Sequence, residues 1–140
     1  MSIKELTVEA DVKNLDKVLL FLGERLDALG CSSRAKMQIE VALEEIFVNV
    51  ASYAYEKSER ETDIVSISVE NSTEPLRVEV TITDSGIPFD PLAKEDPDVT
   101  LTAEQRKIGG LGIYMVKKSM DQVRYEYRDG KNVLTFRKDL

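Results

Sequence analysis

Residues 41–51 read Val-Ala-Leu-Glu-Glu-Ile-Phe-Val-Asn-Val-Ala, and no ordinary surface helix accommodates that pattern. Val41, Ala42, Leu43, Ile46, Phe47, Val48, Val50 and Ala51 place apolar groups around nearly the whole circumference. A helix apolar on every side is expected to be buried, so this segment should be the central helix of the molecule. The expected helix runs from about Ser33 to Tyr55, with Ser33 as N-cap. Glu45 and Asn49 stand within it, one turn apart and on the same face. A carboxylate and an amide in apolar surroundings are costly unless something bonds to them. Either a partner elsewhere in the core or a ligand must do so.

A second carboxylate sits in a comparable position. Leu76, Val78, Val80 and Ile82 alternate with Arg77, Glu79, Thr81 and Thr83, the period of a half-buried strand. One more step of the even series lands on Asp84, which therefore ends the strand on its apolar face. Gly86 follows, where a missing side chain permits a sharp turn or close approach to a ligand. An acceptor at the mouth of an apolar slot suits the amino group of a purine.

The third piece is Gly109-Gly110-Leu111-Gly112, ahead of Ile113, Val116 and Met120 at helical spacing. Free N–H groups and the helix dipole make such a terminus receptive to anions. Neither G-x-x-x-x-G-K-[ST] nor a G-x-G-x-x-G opening a βαβ unit occurs here. Those two common phosphate cradles are not expected.

The remaining chain supplies a sheet and a helical cover. Leu6, Val8 and Ala10 alternate as a first strand, and Val12, Leu15, Val18, Leu19, Leu22, Leu26 and Leu29 form a helical stripe closed by Gly30. A charged loop, Glu56 to Asp63, precedes a strand holding Val65, Ile67 and Val69, and Asn71 to Pro75 turns into the Asp84 strand. Val123, Tyr125 and Tyr127 alternate before an Asp129-Gly130 turn, after which Val133 to Lys138 returns as a hairpin. An α+β sandwich is expected, with an antiparallel or mixed sheet carrying helices on one face. Asp90 to Lys107 is the expected lid, punctuated by Asp96-Pro97-Asp98 and bearing a capping box at Thr102 to Gln105.

Composition narrows the function. The 140 residues suit one domain, 1–140, with a real core. A net charge of −7 argues against general affinity for nucleic acid or anionic membrane. A phosphate ligand then needs local cations, for which Lys94, Arg106, Lys107, Lys117 and Lys118 are candidates and Arg106 the best placed. The chain has no histidine, which excludes a His-based triad, a His metal site and a phosphoacceptor histidine. Cys31 stands alone, so no internal disulfide can form. No apolar run opens the chain or reaches spanning length, and the cytoplasm is the expected compartment.

The E-x-x-x-N helix, the D-x-G strand end and the G-G-L-G loop, in this order, resemble the GHKL superfamily of gyrase, histidine kinases and MutL. The run Asp84-Ser85-Gly86-Ile87-Pro88-Phe89-Asp90-Pro91 is most similar to the anti-sigma-factor serine/threonine kinases of bacteria. That resemblance implies a Bergerat ATP-binding fold: a mixed, mostly antiparallel sheet, helices on one face and an ATP lid. It implies Glu45 as general base and Asn49 as ligand of Mg²⁺. It also implies Asp84 on adenine, with Gly86, Gly109, Gly110, Leu111 and Gly112 around the nucleotide, to which the need for a local cation adds Arg106. The implied partners are a STAS-type anti-anti-sigma protein, phosphorylated on Ser or Thr, and a sigma factor, with a homodimer as a family expectation. The sequence departs from the family pattern at Tyr53, where a His is frequent, and at Pro88, where a second Gly is common. It departs again at Lys131-Asn132-Val133, where relatives carry a Gly-Thr that supports adenine. A sequestering module gated by nucleotide, or an ATPase delivering phosphate to water, are the competing readings.

Overall fold

The computed structural model describes residues 2–54, 64–88, 90–93 and 111–140. Five strands, β1 (Ser2–Glu9), β2 (Ile64–Thr73), β3 (Leu76–Asp84), β4 (Gln122–Arg128) and β5 (Lys131–Asp139), form one sheet. Their spatial order is β1-β2-β3-β5-β4, and every pairing is antiparallel. The expected admixture of parallel strands is therefore absent among the described residues. Short reversals account for two of the four pairings. Glu74-Pro75 turns β2 into β3. Asp129 and Gly130, with φ of 55° and 76°, make the two-residue turn whose twist matches a hairpin. The first of these turns is shorter than expected, because the β2–β3 ladder continues as far as Thr73 opposite Leu76. β1 stops at Glu9, one residue before Ala10.

Three helices cover one face. α1 (Leu15–Leu29) buries Val18, Leu22 and Leu26 and stops at Gly30, whose φ of 67° is one that side chains rarely adopt. α2 (Ser33–Asn49) buries Ile39, Ala42, Leu43, Ile46 and Phe47. α3 (Leu111–Ser119) contributes Ile113 and Val116, with Met120 just beyond its end. These side chains meet Val65, Ile67 and Val69 of β2, Val78, Val80 and Ile82 of β3, and Leu134 and Phe136 of β5 in a single core. The opposite sheet face is polar. There Glu5 accepts from the Ser66 hydroxyl at 2.8 Å, Thr81 and Thr135 share a hydrogen bond of 3.1 Å, and Arg124 lies 3.7 Å from Glu79.

The central helix departs from its expected burial. α2 packs against α1 on one flank and α3 on the other, and it turns one side to the sheet. Its fourth side forms an outer ridge, where Met37 is 61% and Val41 44% exposed and Glu44 is exposed too. Val41 on that ridge is one of the residues that make the helix read as apolar all round; isolated surface apolars are common. The N-cap is Ser32, one residue earlier than expected, its hydroxyl accepting from the Ala35 amide at 3.1 Å. α2 itself ends at Asn49, and residues Val50–Ala54 continue as a wider π turn. The Glu56–Asp63 loop, the Thr102 capping box and most of the expected lid lie outside the described residues; of the lid, Pro91–Ala93 form a short 3₁₀ turn. Among the described residues, no helix is long and apolar enough to cross a membrane.

Candidate active site

Asp84 is where the strand alternation puts it. It ends β3 on the core face and is only 3% exposed. Its Oδ1 accepts from the Gly86 amide at 2.9 Å, a local turn that also buries Gly86. The same oxygen accepts from Asn132 Nδ2 at 2.9 Å across the β3–β5 ladder, where Asp84 and Asn132 are register partners. Asn132, 4% exposed, donates in addition to the Ile87 carbonyl at 2.8 Å and accepts from the Tyr125 hydroxyl. This network fixes the carboxylate in direction and depth. A carboxylate offers about four acceptor positions, and the two donors named here share one of its oxygens.

Asn132 and Tyr125 were not singled out by sequence, although a signal existed. Leu134 and Phe136 are the inward residues of β5, and stepping back by two reaches Asn132. That is the same extrapolation that identifies Asp84 on β3. The departure at Lys131-Asn132-Val133 thus puts a polar side chain beside the Asp84 carboxylate.

A second cluster lies in the helical layer. Glu45 and Asn49 occupy successive turns at the C-terminal part of α2, and both are half-buried rather than buried. The Asn49 side-chain NH₂ donates to the Glu45 carbonyl at 2.6 Å, which leaves its amide oxygen as the atom suited to a cation. Asn49 is also the last α-helical residue before the π turn, and the Val50 amide is shared between the Ile46 and Phe47 carbonyls. Such widened turns recur at functional sites. The Glu45 carboxylate reaches across to the first turn of α3 and lies directly against Gly112; a Cβ placed on that glycine would stand 1.9 Å from Glu45 Oε2. Gly112 is the second residue of α3, inside the helix rather than ahead of it. The positive end of the α3 dipole therefore faces a carboxylate.

The structure thus joins Glu45 to Asn49 and Gly112, and Asp84 to Gly86. Arg106, Gly109 and Gly110, together with Lys94 and Lys107, lie outside the described residues, and Leu111 is described by its backbone alone. Lys118 is exposed and sits 5.5 Å from the centre of the Tyr114 ring, and Lys117 is half-buried. Among the described residues, two further titratable groups are shifted in ways that do not suit a nucleophile or base. Burial pushes the Cys31 thiol above its ordinary pKa, which lowers its thiolate content. The Lys36 ammonium is pushed up by its hydrogen bond to Asp27, 2.8 Å away on α1. A cavity of about 350 Å³ lined by Leu92, Lys117, Met120, Asp121, Gln122 and Val123 lies at the C-terminal end of α3, the end away from Gly112.

Comparison with known proteins matches residues 8–138 to the Histidine kinase-like ATPase domain. The chain is 31% identical over 120 residues to the serine-protein kinase RsbW of Listeria monocytogenes, covering 79% of this chain and 74% of that protein. It is 25% identical over 134 residues to the serine-protein kinase RsbW of Bacillus cereus, covering 93% of this chain and 81% of that protein. Among solved structures, the RsbU and RsbW domains of Rv1364c from Mycobacterium tuberculosis match with a TM-score of 0.68 at 16% identity. That match covers all of this chain and 33% of the longer one, and it bears on the fold alone.

Proposed function

The chain belongs to the histidine kinase-like ATPase domain family, and from that premise we propose how its residues divide the work of phosphoryl transfer. It is a protein serine/threonine kinase of the anti-sigma-factor type, and ATP is the phosphoryl donor that such a domain uses. Asp84 takes the adenine amine, with Asn132 and the Gly86 amide holding the carboxylate still. The first turn of α3, from Leu111 and Gly112, and the preceding Gly109 and Gly110 surround the phosphates, and Arg106 adds positive charge beside them.

The residues present fit a magnesium ion held mainly through the nucleotide. Among the described residues no cluster of three carboxylates, thiols or imidazoles could hold a metal by itself. Mg²⁺ commonly takes one or two protein oxygens and completes its shell with water and phosphate, and the Asn49 amide oxygen supplies one. When bound, the ion neutralises charge on the transferring phosphoryl group. Glu45 accepts the proton of the attacking hydroxyl. The serine oxygen forms a bond to the γ-phosphorus, the bond from that phosphorus to the oxygen bridging to ADP breaks, and ADP leaves with the electron pair. Phosphoryl transfer asks chiefly for positioning and charge neutralisation; in this reading Asp84 and Glu45 serve the positioning, while the amides at the α3 terminus, Arg106 and the metal that Asn49 would hold supply the neutralisation.

The phosphorylated partner in this reading is a STAS-type anti-anti-sigma protein, and the second partner is a sigma factor. In this reading the domain, 1–140, works in the cytoplasm as a homodimer. Its net charge of −7 argues against general affinity for nucleic acid. The observation that carries the reading is the pair Glu45 and Asn49 on one side of α2, with the carboxylate laid on the first turn of α3. Incubation with γ-labelled ATP, Mg²⁺ and a serine-bearing partner should move label to that serine. Binding of partner without any transfer of label would instead indicate sequestration, and label released to water without a partner would indicate an ATPase.

A further inference from the structure

Gly112 poses a question that phosphate binding does not answer. It sits in the first turn of a nine-residue helix, where glycine is a poorer choice than alanine because it gives up more backbone freedom. Its backbone does not call for glycine either. Among the described residues, the glycines with positive φ are Gly30 and Gly130. What excludes a side chain at 112 is Glu45. A Cβ there would stand 1.9 Å from Oε2, 2.5 Å from Cδ and 3.1 Å from Oε1 of that one residue. Gly23 gives the contrast. It too is a helical glycine facing α2, yet a Cβ at 23 would meet Glu40 Oε1 at 3.7 Å and Lys36 Cε at 3.8 Å, ordinary contact distances.

We infer that Gly112 is a positioning residue for Glu45: its missing side chain is the recess in which the carboxylate rests. No described residue donates a hydrogen bond to that carboxylate, so shape sets its place where hydrogen bonds do not. The inference rests on the reading of Glu45 as the base. Because Glu45 is the end of a flexible side chain, a methyl group at 112 displaces the carboxylate and leaves the fold standing. A displacement on the order of 1 Å at a reacting group can cost about 10²-fold in rate.

The test is Gly112→Ala, with Gly23→Ala as the control for added helix propensity. Phosphoryl transfer to the partner at saturating ATP should fall by about 10²-fold in G112A; ATP affinity should stay within a few fold of wild type, because the residue 112 amide that serves the phosphates is kept, and G23A should transfer normally. In the Glu45→Gln background, G112A should cause no further loss. The ¹³C resonance of the Glu45 carboxyl in the nucleotide-free protein, assigned by its absence in E45Q, should move in G112A and stay in place in G23A. An unmoved resonance, or normal transfer by G112A, overturns the inference. Loss of ATP affinity of equal size in both backgrounds overturns it too, and leaves Gly112 with a phosphate contact alone and no part in placing Glu45. Failure of the underlying reading looks different: E45Q would transfer normally while the resonance still moved in G112A.

Discussion

Asp84 and Glu45 are both carboxylates in a largely apolar setting, and the protein treats them in opposite ways. Asp84 is nearly inaccessible, and two donors converge on one of its oxygens. Glu45 is half-buried, belongs to a helix and rests against a glycine instead of on donors. The difference suits the two roles proposed for them. A group that recognises a fixed pattern of donors gains from being held before the ligand arrives, since ordering it later would cost affinity. A group that accepts a proton needs its lone pairs for the reacting atom, and strong donors would compete for them. On the proposed roles, the sheet carries recognition and the helical layer carries chemistry.

The largest effect expected from this division is on Glu45→Gln. Transfer to the partner should drop by about 10²–10⁴-fold, while ATP affinity stays within a few fold and the partner complex still forms. Full transfer by this variant would erase the distinction between the two carboxylates. Asp84→Asn should do the reverse, weakening ATP binding by about 1–3 kcal/mol with an unchanged circular dichroism spectrum. Titration giving wild-type affinity would take Asp84 out of the site. Asn49→Ala should remove the dependence of ATP binding on Mg²⁺ and spare affinity measured without the ion. Equal strengthening by Mg²⁺ in variant and wild type would make Asn49 a structural amide. The smallest effect is expected from Asn132→Ala, which removes one donor from Asp84 and should weaken ATP binding by about 0.5–1.5 kcal/mol. Transfer at saturating ATP should then be normal. A slower transfer step at saturation would show that the sheet network reaches the chemistry after all.

What the sequence revealed depended on whether local periodicity or tertiary contact set the feature. Asp84 was legible because a strand has a period of two and its inward row is filled with aliphatics. Gly30 was legible because a stripe of leucines ended there. Glu45 and Asn49 could be paired because four residues make one helical turn. Asn132 obeys the same rule as Asp84, but it follows a hairpin turn and a lysine, where a polar residue reads as part of the turn. The exposed ridge of α2 was hidden for another reason: apolar content reports burial only on average, and Met37 and Val41 face outward. The recess at Gly112 was beyond reach, since nothing in the neighbourhood of residue 112 announces a carboxylate arriving from another helix.

The register of β3 against β5 has a consequence for how such a chain tolerates inherited change. Asp84 faces Asn132 in the same ladder that sets Ile82 against Leu134 and Val80 against Phe136. A single-residue insertion or deletion midway along β5 would turn the side chains on one side of it to the wrong face of the sheet. Asn132 would leave Asp84, or Leu134 and Phe136 would leave the core. Length changes are expected to accumulate instead in the connections, and β5 to vary by substitution alone. A lineage can trade side chains at position 132, because that alters one partner of Asp84. It cannot shift the strand without losing either core packing or the Asp84–Asn132 contact, so the ancestral alignment of these two strands should outlast most of the sequence around it.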